Sequence, residues 1–233
     1  MPSESIISAF VEAAGTILAA FVGAGYIGKM INKTAEAYFF SYSNKEHNLH
    51  NVLGRAQNSI IIIANCGDNL LREYSDNLRK YMKSGVSIKY VLIDYEHFPI
   101  MDSYTANGKD YAPLRDAVKE LNKLKAEYPS KLDVRVFESI LTASYIGVDL
   151  EKDPITNSWT KRSILQVMPY HYHVAPRYSP ATFLTPKDTV HFGRIVDCVE
   201  EIWDNSKVID NLDSIIPQAQ ELTPNLSSGI ITI

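Results

Sequence analysis

The sequence predicts an α/β domain preceded by a separate apolar helix. Two observations carry the α/β assignment. A β-branched run, Ser59–Ala64 (SIIIIA), is followed by apolar residues at helical spacing and then by a second strand-like run, Val86–Asp94 (VSIKYVLID). Strand, helix and strand with short links make a βαβ unit, which implies a parallel pair joined by a right-handed crossover. A third observation sets the N-terminus apart: residues Ile6–Gly28 carry a single charge, Glu12. The organisation expected is an Ala/Gly-rich helix over 1–33, a domain over 46–207 and a loosely ordered tail over 208–233.

The elements follow in order. Met30–Asn44 reads as a continuation of the first helix and then a turn. Glu46–Ala56 is amphipathic and predicts a short helix. Ser59–Ala64 has the composition of a buried strand. Asn65–Asp68 is a turn. Leu70–Lys83 places apolar residues at helical spacing and stops at Ser84-Gly85, a C-terminal helix signal. Ala112–Glu127 is a charged amphipathic helix ended by Pro129. Leu132–Glu138 (LDVRVFE) alternates as a strand does. Thr142–Asp149, Ser163–Tyr172 and Thr182–Thr185 read as further strands, and Val190–Asn205 as an amphipathic helix. Leu212–Ile233 has two prolines and no clear period, so it is expected to be loose or to lie across the domain or a neighbour.

Composition excludes some functions. The chain has 233 residues, 45% of them hydrophobic, and a formal net charge of −4. That charge gives no general attraction to nucleic acid. Two cysteines, Cys66 and Cys198, make neither a disulfide framework nor a metal site. Walker-A, G-x-G-x-x-G, G-x-S-x-G and H-E-x-x-H patterns are absent. The cluster Gly23, Gly25, Gly28 follows no strand and is no nucleotide loop. No cofactor is implied.

The N-terminal segment is short for a membrane span. Residues 13–28 as a helix cover about 24 Å, against a hydrocarbon core of about 30 Å. Its small residues are patterned. Gly15, Ala19 and Gly23 recur every four positions, and beside them run Glu12, Thr16, Ala20, Ala24 and Gly28. Such ridges let another helix approach closely. Glu12 and Thr16 then fall on the packed or pore-lining side, and an ionisable residue in a membrane helix is a functional candidate. Packing inside a soluble assembly is the competing explanation. Lys29 and Lys33 follow the apolar run and nothing basic precedes it, so a spanning helix would leave the C-terminal domain in the cytosol, at the inner face of the cell membrane.

Four stretches together carry a family resemblance. They are SIIIIAN with its following helix, VSIKYVLID after Ser-Gly, VRVFES leading into a strand that ends in Asp, and PATFLT before a helix with EEIWDNS. Over about Asn48–Lys207 this order resembles one half of the phospholipase D-like fold. The resemblance implies a mixed sheet flanked by helices. It also implies a His-x-Lys-x4-Asp motif, in which His forms a covalent phosphoryl intermediate and Lys stabilises the oxygens. Here Thr142 stands at the His position and Ser144 at the Lys position, while Asp149 keeps the spacing. A Thr hydroxyl without a base is a poor nucleophile and Ser carries no charge. The resemblance therefore implies the fold without the activity, and no residue is assigned a catalytic role.

If the domain holds a ligand, the expected place is the carboxyl end of the parallel strands, where α/β folds put their sites. The candidates there are Asn65, Asp68 and Asp94, with Tyr95, Glu96 and His97 beside it. Ser144, Asp149, His171 and His173 join them. His171 and His173 would share one strand face, yet no acidic or Cys partner stands at a metal-ligand spacing. His47 and His50 read as a solvated helix face. The functional expectation is a non-enzymatic membrane effector that self-associates or binds a sensor protein and acts on lipid through its N-terminal helix. Small proteins of that architecture resemble effectors of prokaryotic antiviral immunity. Two alternatives stand beside it: a membrane-tethered phosphodiesterase or nuclease with a rewired site, and a soluble subunit docking on a partner by its N-terminal helix.

Overall fold

The structure is a computed structural model that describes residues 38–40, 49–94, 96–98, 100, 111–171 and 180–216. The chain divides into Met1–Ala37 and Tyr38–Ile233, and all the described residues belong to the second unit. The N-terminal candidates Glu12, Gly15, Thr16, Ala19, Gly23 and Gly28 lie outside them. No described helix is long and apolar enough to cross a membrane.

An eight-stranded mixed sheet organises the unit. In chain order its strands are β1 (Tyr38–Phe40), β2 (Ser59–Ile63), β3 (Ser87–Ile93), β4 (Leu132–Phe137), β5 (Ala143–Val148), β6 (Ile164–Pro169), β7 (Ala181–Leu184) and β8 (Lys207–Val208). Their order across the sheet is β1-β7-β6-β5-β2-β3-β4-β8. The helices are α1 (Leu49–Leu53), α2 (Asp68–Lys83), α3 (Ala112–Glu127) and α4 (His191–Asp204), followed by a 3-10 turn at Leu212–Ile215.

The expected βαβ unit is present. β2 pairs parallel with β3, and β3 with β4, so α2 and α3 are the two crossovers. Right-handed crossovers advancing in one direction put both helices on one face of the sheet. Arg79 on α2 joins them there, reaching Glu120 and Glu127 of α3, each at 2.9 Å. The face carrying Lys89 and Arg135 meets α4. The two cations stack on the Trp203 ring at 4.8 and 4.0 Å from its centre, and Arg135 also donates to the Trp203 carbonyl.

β5 is where the sheet changes direction. It runs antiparallel to both β2 and β6, in the register Ile60–Val148–Ile164. Every residue of β5 is buried. Gly147 is required at its centre, because a Cβ there would lie 2.7 Å from Ile61 Cγ2 and 2.8 Å from Leu150 Cγ.

Three expectations need correction. Tyr38–Phe40 continues no helix; it is an edge strand antiparallel to β7 and extends the sheet N-terminal of residue 46. Lys207–Val208 forms a second short edge strand, on β4. The strand expected to reach Tyr172 ends at Pro169. Of the expected tail, Leu212 and Ile215 are buried and Asp213 accepts from Asn122 on α3, while residues 217–233 lie outside the described ones.

Two measurements check this architecture. Gly147→Ala should cost about 1–3 kcal/mol by overpacking, read as a lower urea midpoint at an unchanged slope. Burial raises the Glu120 carboxyl, but Lys123 and Arg79 outweigh it and hold the group below its ordinary value of 4.5. A lowered folded pKa gives stability that is whole above about pH 4.5 and is lost as pH falls through the folded value. Glu120→Gln should remove only that acid-side loss, about 1 kcal/mol or less for a partly exposed pair.

Candidate functional site at the carboxyl edge of the parallel strands

β2 and β3 end side by side, and their next residues form the edge. The Asn65 carbonyl accepts from Ile93 N–H at 3.1 Å, which places the turn Asn65–Asp68 beside Asp94. β5 runs the other way, so its first residues, with Ser144, arrive at the same edge. Tyr170 follows β6 into it. Four of the expected residues are therefore gathered here: Asn65, Asp68, Asp94 and Ser144.

The buried part of the edge, behind Asp68 and Asp94, is a network of neutral hydrogen-bonding groups. Asn65 N–H donates to Tyr170 Oη at 3.1 Å, and Tyr170 shares a hydrogen bond with Ser144. Tyr90 donates its hydroxyl to the Cys66 carbonyl at 3.0 Å, and Cys66 Sγ donates to Asp68 Oδ1 at 3.3 Å. Gly67 sits at φ +70°, where a Cβ would collide with Tyr90 Oη. Burial pushes the Tyr90 phenol well above its ordinary value, and the nearby Cys66 and Asp68 add to this. Burial raises Tyr170 strongly as well. Both phenols thus stay protonated at neutral pH and are not bases; Tyr90 donates and Tyr170 accepts. Asn65 is 8% exposed, and its Oδ1 is buried without a hydrogen-bond partner.

Asp94 has a local task. It accepts from His97 N–H at 3.0 Å and pairs with His97 Nδ1 at 2.6 Å. Asp188 treats His191 alike ahead of α4, accepting from its N–H and facing its ring. Burial raises Asp188, and the His191 hydrogen bonds outweigh that to leave it lowered. Each pair closes a turn.

The remaining candidates separate from the edge. Asp149 is at the opposite end of β5, beside Ser59, and its side chain is 1% exposed. Its carboxylate accepts from the backbone N–H groups of Gln57 (3.1 Å), Asn58 (2.9 Å) and Ser59 (3.0 Å). Arg162 Nε lies 3.6 Å away. It is a clamp on the chain entering β2 and is removed from the expected ligand group. His171 is exposed beyond the end of β6, and His173 and Tyr95 lie outside the described residues. His50 is exposed, 3.5 Å from Asn77 Nδ2, and His47 lies outside the described residues. No group of three metal-ligating side chains occurs among the described residues.

Tyr90 and Tyr170 are the site residues that sequence reasoning missed. A tyrosine inside an apolar run gives no sign that its hydroxyl is buried in a polar network. Gly67 had a usable signal, since a glycine between a strand and a helix marks a left-handed turn.

The unit is a mixed α/β sheet flanked by helices. No protein-family model matches the chain, and no curated protein matches it. Two solved structures are similar in backbone course. One is TrmBL2, described as an archaeal chromatin protein with a novel mode of DNA binding: TM-score 0.43, 15% identity, covering 88% of this chain and 69% of that one. The other is phosphatidylserine synthase of Haemophilus influenzae Rd KW20: TM-score 0.47, 11% identity, covering 72% of this chain and 38% of that one. The chain thus spans well under half of the synthase. At these TM-scores neither likeness carries an argument about function.

The clamp assignment has a direct check. Asp149→Ala strips three N–H groups of their acceptor and should cost about 2–3 kcal/mol in urea unfolding. Thr142→Ala, at an exposed position, should cost about 0.5 kcal/mol or less. Equal costs would mean that Asp149 is no clamp.

Proposed function

We propose that this chain is a phospholipase D-like domain without the family's chemistry, which works as a membrane effector through its N-terminal helix. Self-association, or binding of a sensor protein, would bring the small-residue ridges Gly15–Ala19–Gly23 together and let the helices perturb a bilayer. A role in prokaryotic antiviral defence fits that architecture.

One observation carries the non-enzymatic part. The position expected for the phosphate-binding Lys holds Ser144, which is buried and tied to a protonated phenol, Tyr170. Such a group supplies no positive charge to a phosphoryl oxygen. Thr142, at the nucleophile position, shares a hydrogen bond with Tyr145, whose own pKa burial has raised. A phenol held protonated does not take a proton from threonine. The mixed sheet, with β5 antiparallel against the parallel β2 and β3, supports the family reading.

The test uses the full chain, a form beginning at residue 31, and a triple variant with Gly15, Ala19 and Gly23 each changed to Leu. Each carries an inducible self-association tag and is mixed with dye-loaded vesicles. The full chain should release dye when self-association is induced, and the other two should not. A full chain that neither sediments with vesicles nor releases dye overturns the proposal. So does phosphodiesterase turnover that Thr142→Ala or Ser144→Ala abolishes.

A further inference from the structure

The Asp149 end of the sheet holds a second feature, independent of the proposal above. An open cavity of about 460 Å³ lies between the Gly54–Gln57 turn and Lys161–Arg162. Three cations line it, Arg55, Lys161 and Arg162, in a chain whose formal net charge is −4.

Their partners are few. Among the described residues Arg55 and Lys161 make no ion pair and no side-chain hydrogen bond. Arg162 faces Asp149, but only through Nε at 3.6 Å, and its side chain is 46% exposed. Asp149 is meanwhile saturated by three backbone N–H groups. Glu151 is turned to Asn58 Nδ2 at 3.4 Å. Three positive charges line the cavity, and the two carboxylates nearby, Asp149 and Glu151, leave a surplus of one. Gathering like charges around a cavity is unfavourable unless an anion settles there.

The Gly54–Gln57 turn contributes no backbone donor to such an anion, because its N–H groups are engaged. Gly54 donates to His50, Arg55 to Val52, Ala56 to Leu53, and Gln57 to Asp149. The side-chain donors available are guanidinium and ammonium groups. Arg162 uses Nε inward, and its two Nη groups have no hydrogen bond among the described residues. Guanidinium nitrogens match phosphate oxygens in spacing, and lysine adds a point charge. A phosphate group carries about −1.5 to −2 at neutral pH and offers more acceptor oxygens to three cations than the two of a carboxylate.

We infer that this cavity binds a phosphate group through Arg55, Lys161 and Arg162. The group belongs either to a soluble phosphate compound or to a lipid headgroup. It is a site separate from the Asn65–Tyr170 edge, at the other end of β5.

The experiment uses the full chain and two double variants. Arg55→Gln/Lys161→Gln removes two charges at exposed positions and leaves Arg162 on Asp149. Arg55→Lys/Lys161→Arg keeps the charge. Equilibrium dialysis with pyrophosphate at low salt is run beside flotation on phosphatidylcholine vesicles, with and without phosphatidate. The wild type should bind one pyrophosphate, weakened about tenfold or more by the Gln variant and kept by the charge-preserving one. Loss of pyrophosphate binding, with flotation on phosphatidate unchanged, assigns the site to a soluble phosphate compound. Loss of phosphatidate-dependent flotation in the Gln variant assigns it to a lipid headgroup. Wild type and Gln variant alike in both assays overturns the inference. So does a charge-preserving variant as weak as the Gln variant.

Discussion

One buried carboxylate meets three backbone N–H groups, and much of the sheet depends on that meeting. Asp149 ends β5 in a left-handed conformation, at φ +48°. It holds the chain at Gln57–Ser59 as β2 begins, and its carbonyl accepts from Ser163 Oγ at 2.6 Å as β6 begins. Three strands are therefore registered at a single point. The register matters because β5 is buried on both faces and cannot slip to trade one apolar face for a polar one. The close approach of Ile61 and Leu150 to Gly147 is part of the same fit.

The two ends of β5 have different physics. At the Asp149 end a formal charge is buried and satisfied by backbone donors, and cations gather around it. At the Ser144 end Asp68 and Asp94 are engaged by Cys66 and His97, and the buried network beside them is neutral: two phenols, an amide and a hydroxyl, with Asn65 Oδ1 left without a partner among the described residues. Burial keeps those phenols protonated, so neither acts as a base. A phosphoryl group would find no countercharge from Ser144, whereas the opposite end has a surplus of positive charge.

Much of this was legible in the sequence where long patterns compete with nothing else. The runs at Ser59 and Val86, and the helices stopped by Ser84-Gly85 and Pro129, emerge within a residue or two of their expected bounds. The short edge strands were not legible. Tyr38–Phe40 follows a long apolar helical pattern, and its strand character comes from pairing with β7. Lys207–Val208 is two residues long and exposed. The candidate site was half legible. Asn65, Asp68, Asp94 and Ser144 do converge, since the carboxyl ends of parallel strands meet the start of an antiparallel neighbour. Asp149 does not, and strand arithmetic accounts for it: five residues of extended chain put it roughly 17 Å from Ser144. The spacing that marks a family motif says nothing about which end of the strand a residue occupies.

The outermost strand also carries a lesson about time. β1 begins at Tyr38, and its partner across the sheet is Phe183, near the far end of the chain. During synthesis at ~5–20 residues per second, β1 waits on the order of 10 s for β7 to leave the ribosome. β2, β3 and β4, joined in sequence by their own crossovers, can assemble in that interval. The first strand to be made thus waits for the seventh before it is closed into the sheet. Until then the backbone hydrogen-bonding groups of β1 have no partner strand.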